Sequence, residues 1–392
     1  MTAPLNFIVV SPHFPPNFEP FTLRLHETGF RTLGIGDCPY DQLSPSLKTA
    51  LTEYYRVDDM EDYNQMYKAV AYFAFKYGKI DRLESHNEYW LLQDAKLRTD
   101  FNIPGYKNVD VDVIKYKSKM KEVFVKNGIP AAKGQLVKDK EQTEQFVSQV
   151  GYPVIIKPDS GVGASDTYKV NNQAELESFF TKKRPGVAYF LEEYLEGEIV
   201  TFDGLTDQDG KVVFYSSMVY GQPALETVLD ACNMYFYEAR EIPADLKELG
   251  LKSVAAFKIT ERFFHFEFFR TKDKKLYALE LNCRPPGGPS IDLMNHAHQI
   301  DLFKAYAVLV KENHFIYGND CPYNSVYVSR RKGPEYLHSV ADVKTKYAAE
   351  LKDYQEVPAG FADIMGDIGF IFNTKTVEQL KEISAYVHAS KQ

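Results

Sequence analysis

Residues 263–288 read FFHFEFFRTKDKKLYALELNCRPPGG, and this stretch decides how the rest of the chain is understood. Two apolar runs flank the charged turn TKDKK, the pattern of an antiparallel hairpin with long strands. Side chains alternate along a strand, so Glu280 and Asn282 share a face, and Glu267 projects from the partner strand. Leu279, Leu281 and Cys283 surround the two polar positions, where an uncompensated carboxylate would be costly. A hard divalent cation removes that cost. Carboxylate and amide oxygens suit magnesium, which leaves its other positions to water and substrate phosphates. The opposing reading points the three side chains outward into water from an edge hairpin. The company of Arg284 and Gly287-Gly288 favours the metal site.

Working upstream, VIIKPDSGVGASDT (154–167) ends an apolar strand at Lys157 and continues into a loop with Gly161 and Gly163. Glycines let backbone N–H groups approach phosphate oxygens closely. The order is not that of a Walker loop, because the lysine precedes the glycines. Loop 160–166 is expected to close over phosphates and exclude water. In YFLEEYLEGEIVT (189–201), Glu192, Glu193 and Glu198 lie on or beside an apolar strand, where they can accept hydrogen bonds from adenine and ribose or form a solvated charged edge.

The remaining chain supplies a frame. NFIVV, a helix and a glycine-stopped strand through TLGIGD give β-α-β grammar, so residues 1 to about 100 are expected to form an open α/β domain with parallel pairing. A helix is expected in DVIKYKSKMKEVFVK, with Met120, Val123 and Phe124 at helical spacing and a Gly128-Ile129-Pro130 stop. From residue 188 the chain changes to an antiparallel meander about the Asp209-Gly210 turn. A further helix, strands near NSVYVSRRK and IGFIFN, and a final amphipathic helix follow.

The 392 residues are 44% hydrophobic, enough for several structural units. A net charge of -8 argues against a nucleic-acid binder, which needs a surplus of Lys and Arg. Cys38, Cys232, Cys283 and Cys321 are scattered without CxxC spacing and read as free thiols. No segment approaches the roughly 18 to 20 apolar residues that span a bilayer. The cytoplasm is the expected location.

In this order, VIIKP with its glycine-bearing loop, LEEYLEGEIV and FHFEFF…LYALELNCRPPGG resemble the ATP-grasp superfamily, which includes D-alanine:D-alanine ligases, biotin carboxylase and L-amino acid ligases. The resemblance covers residues 1 to about 310 and is most specific from about 115 to 290. It implies an α/β chain in which an open parallel pre-grasp domain (1–110) precedes a two-lobed fold with antiparallel sheets, the small lobe over 111–197 and the large lobe over 198–392. It implies ATP held by Lys157 and by Lys117, with Lys121 a competitor for the latter role. Adenine would meet the backbone of Glu193, Tyr194 and Leu195, and Glu198 the ribose. Glu192 would meet the adenine amino group or Lys157. The family's metal ligands fall on Glu267, Glu280 and Asn282, for magnesium or manganese, and its arginine on Arg284, against phosphate or the activated carboxylate. Tyr116 stands where the family often has Asp, and Cys283 where it often has Pro; neither change removes a ligand.

ESHNEYWLLQDAKLRTDFNIPG (84–105) resembles the end of the pre-grasp domain in amino acid and dipeptide ligases, which puts His86 and Glu88 either at the border of the substrate site or in an interdomain contact. Arg262, Arg270, Arg330 and Arg331 are open as carboxylate binders or as solvated or paired arginines. The implied reaction activates a small carboxylate as an acyl phosphate and joins it to an amine. A homodimer is compatible with the resemblance. Competing readings are a phosphotransferase on the same fold and a catalytically silent nucleotide-binding protein.

Overall fold

A computed structural model describes residues 3–161, 166–221, 233–357 and 359–391. The first apolar run forms β1 (Asn6–Val10), with all five residues buried, as befits the interior of a parallel sheet covered on both faces. It pairs in parallel with β2 (Arg31–Gly36) and β4 (Arg82–Glu84), and β2 pairs with β3 (Glu53–Arg56), giving the order β3-β2-β1-β4. The expected helix in NQMYKAVAYFAFKY spans Tyr63–Tyr77. Asp62 caps its start through the Asn64 N–H, and Gly78 ends it at φ +84°. The open parallel α/β unit expected from the sequence is therefore present.

A second sheet, in the order β5-β8-β6-β7, is antiparallel: β5 (Gly134–Leu136), β6 (Val154–Pro158), β7 (Tyr168–Val170) and β8 (Tyr189–Glu193). Helices Lys140–Val150 and Gln173–Lys182 bury Phe146, Val147, Leu176 and Phe179 against it. Tyr194, Leu195 and Glu196 belong to neither sheet and lead into the third. That sheet runs β14-β13-β9-β11-β12-β15-β17-β16, with β10 also on β9. Its strands are β9 (Gly197–Thr206), β10 (Val212–Ser216), β11 (Met218–Tyr220), β12 (Tyr235–Glu238), β13 (Phe263–Thr271), β14 (Leu276–Asn282), β15 (Asn324–Arg330), β16 (Leu351–Glu356) and β17 (Ile368–Thr374). The quoted hairpin is β13–β14, at the edge of this sheet, with β9 on the other side of β13.

Two differences from expectation concern position. The helix expected across 112–126 breaks at Tyr116, which is extended; Asp112–Lys115 ends there, and Lys117–Lys126 starts afresh. Its first N–H, that of Lys117, donates to the Asp159 carbonyl at 2.8 Å, and the Asp159 carboxylate accepts from Ser118 N at 2.7 Å and Ser118 Oγ at 2.9 Å. The loop after Lys157 thus caps the helix that carries Lys117. Strand β16, LKDYQE, was not anticipated because it is a polar edge strand without an apolar run.

Phe202, Phe264, Phe266 and Phe268 fill the core beneath β9 and β13, joined by Phe124 and Phe257. Phe7 and Val9 of the parallel sheet share a second core with Leu205, Phe214 and Phe263. Between these units lies a buried ion network. Glu84 Oε1 accepts from Arg262 Nη2 at 2.7 Å and Glu84 Oε2 from Arg98 Nη2 at 2.9 Å, while Arg262 Nε donates to the Cys283 carbonyl at 2.8 Å. The end of β4 is thereby fastened to the residue that follows Asn282. No helix among the described residues is long and apolar enough to cross a membrane.

Helix Ala244–Phe257 crosses this core at Gly250, where a Cβ would lie 2.2 Å from Phe202 Cγ. Alanine normally stabilises a helix interior relative to glycine by about 1 kcal/mol. Here the sign is reversed by overpacking: Gly250→Ala is expected to destabilise by about 1–3 kcal/mol in urea unfolding.

Candidate nucleotide and metal site

The register of the hairpin sets Glu267 directly opposite Glu280 and His265 opposite Asn282, and the ladder shifts immediately after Glu267. Such irregularities re-aim side chains next to functional sites. Of the three oxygen-bearing residues expected to converge, Glu280 and Asn282 touch, and Glu267 stands across the ladder from Glu280. Asn282 Nδ2 donates to Glu280 Oε1 at 3.3 Å, and Arg284 Nη2 donates to Asn282 Oδ1 at 3.3 Å. Lys117 Nζ stands 3.3 Å from Glu280 Oε2. Burial works against ionisation of Glu280, but the Lys117 and Lys157 ammonium groups outweigh it and hold the carboxyl at about 2. Among the described residues no group of three His, Cys, Asp or Glu side chains is arranged to hold a metal on its own. Two carboxylates and an amide fit the chemistry of magnesium, an ion that takes its other ligands from phosphate and water.

Lys157 is the penultimate residue of β6, and its Nζ lies 2.5 Å from Glu192 Oε1 on the neighbouring β8. Lys121, from the helix Lys117–Lys126, approaches the other oxygen of Glu192 at 3.4 Å. Of the two roles open to Glu192, this structure has it on Lys157. Burial opposes the charge on Lys157, yet Glu192 and Glu280 raise its pKa; at Lys121 burial prevails and the pKa falls. Lys117 faces the Glu280 side and Lys121 the Glu192 side, so both lysines border the same space. Gly161 is exposed, with nothing nearer its Cβ position than Pro158 Cβ at 3.7 Å. Gly163 lies outside the described residues.

Between the two sheets, Glu193 is locked to Lys133: its N–H donates to the Lys133 carbonyl at 2.9 Å, and its Oε1 accepts the Lys133 N–H at 2.7 Å. Tyr194 carries Lys169 Nζ over its ring at 4.1 Å. Leu195 follows in the same unpaired linker, and Glu198 is exposed on β9, opposite Arg270.

The region 84–105 divides. His86 stacks on Phe21 with centroids 4.1 Å apart and is a packing residue. Glu88 is buried beside Lys115, 3.2 Å away, with Oε2 unpartnered. Burial raises its pKa against the pull of Lys115 and Arg284, which puts it on the Arg284 side of the cleft. The other arginines are engaged elsewhere. Arg262 is in the ion network described above, and Arg270 pairs with Asp245 at 2.7 Å. Arg330 donates to the carbonyls of Val387 and His338 at 2.7 and 2.9 Å, and Arg331 to those of Ala362 and Asp363 at 3.3 and 2.8 Å.

Sequence reading missed two contributors. One is Asp159, whose capping role spans 41 residues of sequence. The other is His265, two residues before Glu267 on the same face of β13. Its Nε2 lies 3.1 Å from Glu267 Oε1 and its Nδ1 2.5 Å from Asp203 Oδ1 on β9. Burial disfavours a charge on the ring, but Asp203 overrides it and raises the pKa to about 10. The i, i+2 spacing of His265 and Glu267 was visible; the partner on β9 was not.

Two antiparallel sheets are joined by an unpaired linker, and Lys157 of the smaller sheet and Lys117 act on Glu280 of the larger one. Residues 150–292 match the ATP-grasp domain family. The chain is 26% identical over 259 residues to the L-arginine-specific L-amino acid ligase of Bacillus subtilis, covering 64% of this chain and 62% of that protein. The crystal structure of an L-amino acid ligase from Bacillus licheniformis superposes with a TM-score of 0.73 at 15% identity, over 98% of this chain and 97% of the other. The biotin carboxylase domain of 2-oxoglutarate carboxylase from Hydrogenobacter thermophilus, solved with MgADP and bicarbonate, gives 0.67 at 16% identity, over 98% and 90%. Residues 150–292 are thus similar to the ATP-grasp domain, and the chain shares the fold of these solved structures along its length.

Glu192 neutralises two buried lysines at once. Glu192→Gln leaves them uncompensated, and breaking a buried pair in this way is expected to cost about 3–5 kcal/mol in denaturant unfolding. Inorganic triphosphate, which can replace the lost negative charge, should raise the melting temperature of the variant more than that of the parent protein.

Proposed function

We propose that this chain uses ATP to activate a small carboxylate, an amino acid, as an acyl phosphate and then joins it to an amine. The observation that carries the reading is the opposition of Lys117 and Lys157 to Glu280, with Glu267 and Asn282 beside it. Support for an amino acid substrate comes from the two L-amino acid ligases among the relatives. In this reading residues 1–110 border the acceptor, 111–197 supply the phosphate-binding lysines, and 198–392 supply the metal ligands and Arg284.

Magnesium, or manganese in its place, would be held by Glu267, Glu280 and Asn282 and would neutralise phosphate charge. Phosphoryl transfer asks the protein for placement and charge neutralisation rather than covalent chemistry. Lys157 and Lys117 hold the phosphates. The linker backbone at Glu193, Tyr194 and Leu195 receives adenine, and Glu198 receives the ribose. Arg284, already turned toward Asn282, orients the carboxylate for attack on the γ-phosphate. The carboxylate oxygen bonds to phosphorus and ADP leaves; the amine nitrogen then bonds to the acyl carbon, phosphate leaves, and the amine gives up its proton.

The test follows phosphate release from ATP and magnesium against amino acids and small carboxylates, singly and in pairs. Release is expected to require a carboxylate together with an amine, with a condensed product detectable by mass spectrometry. ADP accompanied by a stable phosphorylated compound would overturn the ligase reading in favour of phosphotransfer. Glu280→Gln is expected to lower turnover by about 100-fold or more with the fold retained, as checked by circular dichroism.

A further inference from the structure

His265 occupies a singular place on the large sheet. On one side β9 sets Asp203 directly opposite it; on the other β14 sets Asn282 opposite it; two residues along its own strand stands Glu267. Its neighbours Phe264 and Phe266 point into the aromatic core, so the histidine belongs to the polar face that carries Glu267, Glu280 and Asn282. It is 4% exposed and Asp203 is fully buried. The chain of contacts extends further: Thr201 Oγ1 donates to Asp203 Oδ2, and Met218 N–H donates to Thr201 Oγ1 at 2.7 Å.

Both imidazole nitrogens face carboxylate oxygens, which accept and do not donate when ionised. The ring therefore donates on both sides, to Asp203 Oδ1 and to Glu267 Oε1. A buried ionic group of this kind is a weak source of stability, since well-packed apolar residues often do as well. What it supplies instead is direction. With Oε1 of Glu267 engaged by the imidazole, the carboxylate has one orientation, and Oε2 is left for another partner. Outer partners of this kind commonly orient the side chains that bind metal ions.

We propose that Thr201, Asp203 and His265 form a positioning relay that fixes the Glu267 carboxylate for a divalent cation, with His265 as the residue that sets its orientation. The inference rests on the reading of Glu267 as a ligand of a nucleotide-bound ion. His265 is a positioning residue: it acts through Glu267 and touches neither the ion nor the substrate.

The experiment measures Mn2+ binding by electron paramagnetic resonance in the presence of a non-hydrolysable ATP analogue, and binding of the same analogue without divalent cation by calorimetry. In His265→Asn the shorter amide reaches toward Asp203 but not toward Glu267. His265→Gln places an amide N–H where Nε2 stood. Mn2+ affinity is expected to fall by about 10- to 100-fold in His265→Asn and to recover most of that in His265→Gln, while metal-free analogue binding changes by less than about twofold in both. Asp203→Asn keeps its shape and covers the case in which His265→Asn does not fold; a loss of about tenfold in Mn2+ affinity is expected. If the parent protein with analogue takes up no Mn2+, the metal reading of Glu267 falls, and the relay with it. If the parent binds Mn2+ and the folded variants bind it equally well, the relay alone is overturned. An equal loss of metal-free analogue binding would also overturn it, marking the histidine as a general support of the cleft.

Discussion

The pairing of β13 with β14 is the constraint on which the site depends. Because Glu267 stands opposite Glu280 and the ladder shifts at the next step, two carboxylates that would repel one another in isolation are brought to one place. Their coexistence is possible only with cations around them. Lys117 and Lys157 serve Glu280, and the ring of His265 serves Glu267. A one-residue slip would turn Glu280 and Asn282 to the opposite face and insert Leu279 and Leu281 among the charges. The apolar alternation of both strands forbids that slip, since Phe264, Phe266, Phe268 and Leu281 are needed in the core. Core packing and charge placement are thus the same decision.

The second determinant is the fastening of the parallel sheet to this hairpin. Glu84 binds Arg98 from its own unit and Arg262 from the large sheet, and Arg262 reaches the carbonyl of Cys283, between Asn282 and Arg284. An arginine that sequence reading left open as a substrate binder is in fact a strut. Its charge is spent on holding the end of β14, and through it the two residues on either side, in a defined place relative to β4 and Glu88.

Much of this was legible in advance because it is local. The hairpin announces itself through a charged turn between alternating runs, and the shared face of Glu280 and Asn282 follows from a spacing of two. The order of the lysine strand, the glutamate strand and the carboxylate-bearing hairpin carried the family resemblance. What could not be read is what depends on strands and loops distant in sequence. Asp203 meets His265 across 62 residues, and Asp159 caps the helix start through Ser118, 41 residues before it. The break at Tyr116 has the same origin, since the helix restarts where Asp159 supplies acceptors for its first N–H groups. Arg262 stood open as a carboxylate binder or as a solvated or paired arginine, and only the arrival of Glu84 at the end of β4 decides between them.

The cap at Asp159 has a mechanical side. The helix Lys117–Lys126 is packed into the large-sheet core through Met120 and Phe124, whereas Lys157 belongs to the small sheet and Asp159 directly follows its strand β6. The small sheet is therefore pinned to its neighbour at one corner by Asp159, and the chain crosses between the sheets at Tyr194–Glu196. A line through those two points is the natural fulcrum for any tilt of one sheet over the other. Lys157 lies two residues from Asp159 in sequence, and the Glu192 it pairs with lies two residues before Tyr194. Both ends of that line thus lie close in sequence to the Lys157–Glu192 pair, so a tilt about it would carry that pair least and the rest of the small sheet more.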